Sequence, residues 1–194
     1  MGELNPSSAS PVDEVIQYAE EVIRYAITDG SGRLSGIDRT ADIIQIREPD
    51  LTARQLAAAS RELLIQTKAR VVLNDRADVA IAAGAHGVHL KSDWARVDLF
   101  RSIAPPGFIV SVACHSVEDV RRAAGEGADY ALLAPIFLPR SKADLRTPLG
   151  IEAIRKASAL RVPVIALGGI TEENALLCIA NGAAGVAGIT LFHR

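Results

Sequence analysis

The sequence predicts an α/β chain folded as a TIM (β/α)8 barrel, and three observations carry that reading. Apolar runs of four to six residues recur eight times, stretches rich in helix formers stand between them, and several runs end abruptly in polar side chains. Such alternation is the pattern of a parallel sheet wrapped by helices, and eight is the strand number that closes a barrel. A doubly wound open sheet is the alternative. No GxGxxG follows the first run, however, and an open sheet would leave two edges to protect.

Residues 1–11, polar and containing Ser and Pro, read as a flexible N-terminal arm, and 12–194 as a single barrel domain. The amphipathic stretch Val12 to Val22 leads into the first strand, Arg24 to Thr28, and the second runs from Asp42 to Arg47. Asp50-Leu51-Thr52 offers side-chain acceptors ahead of a helix over Ala53 to Thr67. Val71 to Asn74 is the third strand, Ala77 to Ala83 the next helix, and Gly84 its stop before the fourth strand, Gly87 to Leu90. Phe108 to Val112 follows, then a helix over Val117 to Ala124 that starts at Ser116 and stops by Gly127. The sixth strand, Tyr130 to Ala134, opens into a polar loop reaching Gly150. Val164 to Leu167, a helix over Glu172 to Ala180 between Thr171 and Gly182, and the eighth strand Gly185 to Ile189 complete the pattern. The chain then stops at Phe192-His193-Arg194 without the final helix of such a barrel. Val12 to Val22 is the expected substitute over the seam; a truncated chain, or the partner subunit of a homo-oligomer, would explain the same ending.

At 194 residues and 49% hydrophobic composition the chain can bury one substantial core. A net charge of -2, with four Phe, one Trp and three Tyr, supplies neither a basic field nor stacking platforms, which argues against nucleic acid. Cys114 and Cys178 cannot make a zinc set and read as reduced core thiols of a cytoplasmic protein. The start lacks the basic-then-apolar order of a secretory signal, and the uncharged stretch Asn174 to His193 is split by Asn181 and three glycines, so no membrane segment is expected.

Gln45 and Arg47, two apart on a strand, point to one side of it, and Asn74, Asp75 and Arg76 end the next strand. Together they aim donors and one carboxylate at a shared mouth. That set suits a phosphorylated substrate whose charge is shared between arginine and a divalent metal. The structural alternative is a polar plug, with Arg76 or Glu48 pairing at the rim and Asp78 decorating a helix start. Gly168-Gly169-Ile170 and Ala187-Gly188-Ile189-Thr190 end strands seven and eight, where barrels of this class bind phosphate. The loop from Ala134 to Gly150 is either a lid whose Arg140, Ser141 and Lys142 close on an anion or a solvated loop. His89 and His115, at strand ends, are placed either as acid-base groups or as polar anchors, the latter favoured for His115. No Ser-His-Asp order or histidine cluster points to a hydrolase or a zinc enzyme.

From Tyr25 to Phe192 the chain resembles the thiamine phosphate synthase and thiazole tautomerase (TenI-like) superfamily. The resemblance lies in Tyr25-Ala26-Ile27-Thr28-Asp29, Gln45-Ile46-Arg47-Glu48, Asn74-Asp75-Arg76-Ala77-Asp78, Gly87-Val88-His89-Leu90, His115-Ser116, Pro135-Ile136-Phe137, Pro148-Leu149-Gly150 and Gly168-Gly169-Ile170. It implies a TIM barrel that joins hydroxymethylpyrimidine diphosphate to thiazole phosphate, releasing pyrophosphate with Mg2+. It also implies Gln45, Arg47, Asn74 and Lys142 on the pyrimidine diphosphate, with Arg47 and Lys142 bearing the charge of the departing group. Asp75 would hold magnesium, Gly169, Ile189 and Thr190 the thiazole phosphate, and Ser141 would match a lid threonine.

The chain departs from the synthase pattern at several positions. Pro49 stands where synthases carry lysine, Trp94 where a second metal aspartate is usual with Asp93 one residue away, Ala113 where a serine meets the pyrimidine, and Pro139 in place of a lid threonine. In the tautomerase branch a strand-six histidine moves the proton; Pro135 stands there, leaving His89 or Cys114 as substitutes. A tautomerase-like enzyme and a noncatalytic binder of thiazole or thiamine phosphates are thus the alternatives to a synthase-like transferase.

Overall fold

Strands that face a packed barrel interior on one side and helices on the other need no solvated face, which is why these runs are mostly apolar. In the computed structural model, which describes residues 22–91, 93, 96–138 and 146–193, all eight become parallel strands of one closed barrel. They are β1 (Ile23–Ile27), β2 (Ile43–Ile46), β3 (Arg70–Asn74), β4 (Gly87–Leu90), β5 (Ile109–Cys114), β6 (Tyr130–Leu133), β7 (Val164–Ala166) and β8 (Gly185–Gly188). Each expected strand is present, β4 with the expected ends and the others with ends shifted by at most two residues. Alternate residues, Tyr25, Ile27, Ile43, Val72, Ile109, Leu132, Ile165 and Ala187, form one apolar cluster inside the barrel. The intervening ones pack outward into a second, larger core beneath the helices.

Closure depends on β8 pairing with β1, where Gly185 sits opposite Ile23. A Cβ on Gly185 would collide with the Ile23 carbonyl oxygen, and one on Gly87 with that of Ile109.

Six α-helices lie among the described residues: α1 (Ala53–Gln66), α2 (Ala77–Ala83), α3 (Val97–Arg101), α4 (Val117–Gly125), α5 (Ile151–Ser158) and α6 (Glu172–Ala180). The expected caps operate. Thr52 and Gln55 make a reciprocal capping box on α1, Ser116 Oγ accepts from the Asp119 amide on α4, and Asn174 Oδ1 accepts from the Thr171 amide on α6. Gly84 closes α2 in the left-handed conformation, φ 75°. Helices α3 and α5 have no side-chain cap, so no start signal marks them in the sequence.

After β8 the described chain makes a 3-10 turn, Thr190–Phe192, and then pairs His193 with Ile37 of the β1–β2 connection in an antiparallel bridge. Phe192 is buried there, with the Arg24 guanidinium 5.7 Å from its ring centroid. Residues Thr190 to His193 thus cover part of the seam that is expected to need a helix. The proposed substitute, Val12 to Val22, lies except for Val22 outside the described residues, as does the arm 1–11. No helix among the described residues is long and apolar enough to cross a membrane.

Candidate active site

Parallel pairing aligns side chains from neighbouring strands, and here it aligns polar ones. Asn74 is registered on His89, and His89 on Ser111. Gln45 joins this girdle from β2: its Nε2 donates to Asn74 Oδ1 at 2.9 Å, and Asn74 Nδ2 donates to Asp75 Oδ2 at 2.9 Å. Lys91, one residue past β4, places Nζ 2.9 Å from the same Asp75 oxygen. A continuous line therefore runs Gln45, Asn74, Asp75, Lys91 across the carboxyl ends of three adjacent strands, the end at which barrels of this kind carry their chemistry.

Two polar atoms in this line are buried without a partner, Gln45 Oε1 and Asp75 Oδ1. Buried acceptors are ordinarily satisfied, so this pair at the barrel mouth leaves two acceptors open to water, an ion or a ligand. Asp75 also holds φ at 59°, the only non-glycine residue at positive φ among the described residues. Its amide donates to the His89 carbonyl at 2.8 Å, which fixes that turn. Strain of this sort collects at functional positions.

Below the line, His89 Nδ1 lies 3.0 Å from Ser111 Oγ, which lies 3.2 Å from the Tyr25 hydroxyl. Burial, reinforced by the nearby Arg47 charge, lowers His89 to about 4, so the imidazole is neutral near pH 7. Burial raises the Tyr25 phenol above its ordinary range. His89 is therefore an anchored neutral group. Ser111 supplies the hydroxyl that Ala113, two residues on, does not, but one layer deeper in the barrel.

Arg47 is exposed at the rim, its amide held by Thr28 Oγ1 at 2.8 Å. Arg76 does not join the mouth as expected. Its guanidinium pairs with Asp78 across 2.7 and 2.9 Å in the first turn of α2, because a residue two positions away is nearer than the girdle. Glu48 is no rim partner either: it is buried, accepting from the amides of Gly30 (3.3 Å) and Gly32 (2.6 Å), and so orders the loop after β1. His115 is an anchor, with Nδ1 2.9 Å from the Ala134 carbonyl and Nε2 2.6 Å from Arg146 Nη1.

On the far side of the mouth, Gly168 and Gly169 hold φ at 89° and 65°. A Cβ on Gly168 would come within 2.7 Å of Pro135 Cα, and one on Gly169 within 2.7 Å of the Leu138 oxygen. The close approach these glycines permit is thus first to the loop after β6, whose Ile136 and Phe137 amides bond to the carbonyls of Leu167 and Gly168. Ile189 and Thr190 are exposed just past β8, the neighbour of β7. Pro135 offers no proton, and Cys114 is buried with its thiol pushed up to about 12, which removes it as an acid-base substitute.

Asp93 is exposed on a turn after β4, and among the described residues no three His, Cys, Asp or Glu side chains gather as a metal-binding group. Ser141 and Lys142, with Trp94 and Pro139, lie outside the described residues. Lys91 and Ser111 have no place among the residues expected from the sequence, and Tyr25 enters there only within a family motif. The i, i+2 relation that pairs Gln45 with Arg47 also pairs His89 with Lys91, and a serine inside an apolar strand marks Ser111. A cavity of about 690 Å3 opens at the opposite end of the barrel, among strand starts including Ile23, Ile43, Arg70 and Tyr130, away from this network.

The thiamine monophosphate synthase profile matches residues 24–192. The chain belongs to that family. Within the thiamine monophosphate synthase family, the thiamine-phosphate synthase of Methanoculleus marisnigri is 45% identical over 154 residues, covering 77% of this chain and 73% of the relative. The putative thiamine-phosphate synthase 2 of Aquifex aeolicus is 37% identical over 180 residues, covering 87% and 96%. Among solved structures, the thiamine phosphate pyrophosphorylase from Pyrococcus furiosus superposes with a TM-score of 0.75 at 27% identity, covering 89% of this chain and 88% of that one. The chain is a thiamine phosphate synthase-like transferase of thiamine biosynthesis.

Proposed function

We propose that this member of the family joins a hydroxymethylpyrimidine diphosphate to a thiazole phosphate, forming thiamine phosphate and releasing pyrophosphate. The observation that carries the reading is the Gln45–Asn74–Asp75–Lys91 line, with its two orphaned acceptors, on the barrel end that also presents Gly168, Gly169, Ile189 and Thr190. Gln45 and Asn74 present amides to the pyrimidine diphosphate, and Arg47 bears its charge together with Lys142, which lies outside the described residues. Gly169, Ile189 and Thr190 take the thiazole phosphate.

The methylene carbon–oxygen bond breaks with its electron pair leaving on pyrophosphate. The thiazole nitrogen then bonds to the resulting pyrimidine-stabilised cation, so no protein nucleophile is needed. What the site must do is bear the leaving charge, hold the two rings in line and exclude water. The unpartnered Oδ1 of Asp75 fits one contact to Mg2+, with Asp93 the second candidate, and substrate phosphates complete such shells. Magnesium bound there would neutralise the diphosphate oxygens. The free buried thiols suit the reducing cytoplasm.

The test is thiamine phosphate formation from the two substrates, with and without magnesium, read by chromatography. Magnesium-dependent product is expected. Thiazole phosphate bound without turnover would instead make this a phosphate-ligand binder.

A further inference from the structure

Resting on the synthase reading above, we propose that Lys91 is a built-in counter-cation of the diphosphate subsite. Its ammonium occupies Asp75 while the site is free of substrate, holds off a free divalent ion, and passes to the diphosphate when substrate enters. Lys91 stands two residues beyond His89 and one past β4, so the strand's alternation carries its side chain to the same side as that of His89. Its Nζ is 2.9 Å from Asp75 Oδ2, the oxygen that also accepts from Asn74.

The two partners differ in freedom. The Asp75 side chain is 10% exposed and accepts from Asn74 Nδ2, and its backbone amide donates to the His89 carbonyl, whereas the Lys91 side chain is 56% exposed on a flexible four-carbon stem. The carboxylate stays and the ammonium moves. A metal approaching Asp75 in the empty site meets one oxygen already neutralised and a like charge beside it. A diphosphate brings several acceptor oxygens that outcompete one carboxylate for the ammonium and also supply ligands to the metal. Exchange of Lys91 from Asp75 to the diphosphate thus couples metal entry to substrate entry. Pro49, exposed after β2, brings no charge to the same rim, leaving Arg47 and Lys91 as the cations that the described strand ends β2 to β4 direct there.

Two titrations test this without turnover. Mn2+ is added to the substrate-free protein and followed by electron paramagnetic resonance; pyrophosphate is added in chelator and followed by calorimetry. Lys91→Gln is expected to bind Mn2+ at least tenfold more tightly than the parent and pyrophosphate at least tenfold more weakly. Lys91→Arg, which keeps the charge, is expected to restore parental behaviour in both, and the half-exposed position lets either variant fold. Unchanged titrations in Lys91→Gln would overturn the proposal. A change in only one would also overturn it, because a single ammonium must serve both anions. If both move as expected while no thiamine phosphate forms, the synthase reading fails and the counter-cation stands.

Discussion

Asp75 concentrates the chemistry of the site in one residue. Its backbone lies in the left-handed region, which Asp and Asn tolerate because their short polar side chains bond locally, and one of its oxygens is buried without a partner. Asp75→Asn keeps that backbone preference and the side-chain shape but removes the charge. We expect magnesium-dependent turnover to fall at least 100-fold while the thermal midpoint moves by no more than about 2 °C, a change of about 0.5–1 kcal/mol for a domain of this size. Steady-state kinetics beside a melting curve check this, and an unchanged rate would remove the metal role given to Asp75. At this scale the sequence was a good guide to residue type and a poor one to pairing. Gln45, Arg47, Asn74 and Asp75 were legible because strand periodicity says which side a residue faces. Arg76 was misread because a guanidinium takes the nearest carboxylate, Asp78, and periodicity says nothing of that choice.

Among the elements, the loop after β6 and the turn after β7 form one unit. Backbone hydrogen bonds of 2.9 and 3.0 Å join Ile136 to Leu167 and Phe137 to Gly168, and Gly169 lets the two segments touch. Gly169→Ala would add a Cβ 2.7 Å from the Leu138 oxygen at a residue whose φ is 65°. The expected cost is about 1–3 kcal/mol of stability, since both strain and overlap must be relieved. On the proposed function, the same displacement should raise KM for the thiazole phosphate more than it lowers kcat, because it moves the turn assigned there to the phosphate. Denaturant unfolding and initial rates decide; full retention of both would show that the loops move independently. Helices α1, α2, α4 and α6 were legible from their caps and glycine stops. Helix α5 was not, since its N-cap, Gly150, offers no side-chain acceptor, and α3 spans only five residues.

Over the whole molecule, the barrel interior sets how stability depends on pH. His89 is buried at the centre, and its folded-state pKa of about 4 lies below the ordinary value of 6.5. The unfolded chain therefore takes up the proton first as pH falls, so stability is full above about pH 6.5 and declines from there toward 4. By pH 5 the loss from this group is on the order of 2 kcal/mol. Asp78, held down to about 2 mainly by its bond from Arg76, gives up its contribution only below the ordinary carboxylate range, leaving the upper window to histidine. Urea midpoints at pH 7 and pH 5 should separate in the parent protein and draw together in His89→Gln; an equal separation in both would assign the effect elsewhere, His86 being the next group lowered by burial. By itself the sequence determined the eight strands, four of the six described helices, and which polar residues stand at the strand ends. These follow from local periodicity, caps and glycines, read within a few residues. Only the tertiary structure decided that Lys91 sits on Asp75, that His89 rests on Ser111 and Tyr25, and that Glu48 turns inward. Those contacts join residues 16 to 86 positions apart, and which pairs meet is set by strand register and barrel closure rather than by any local pattern.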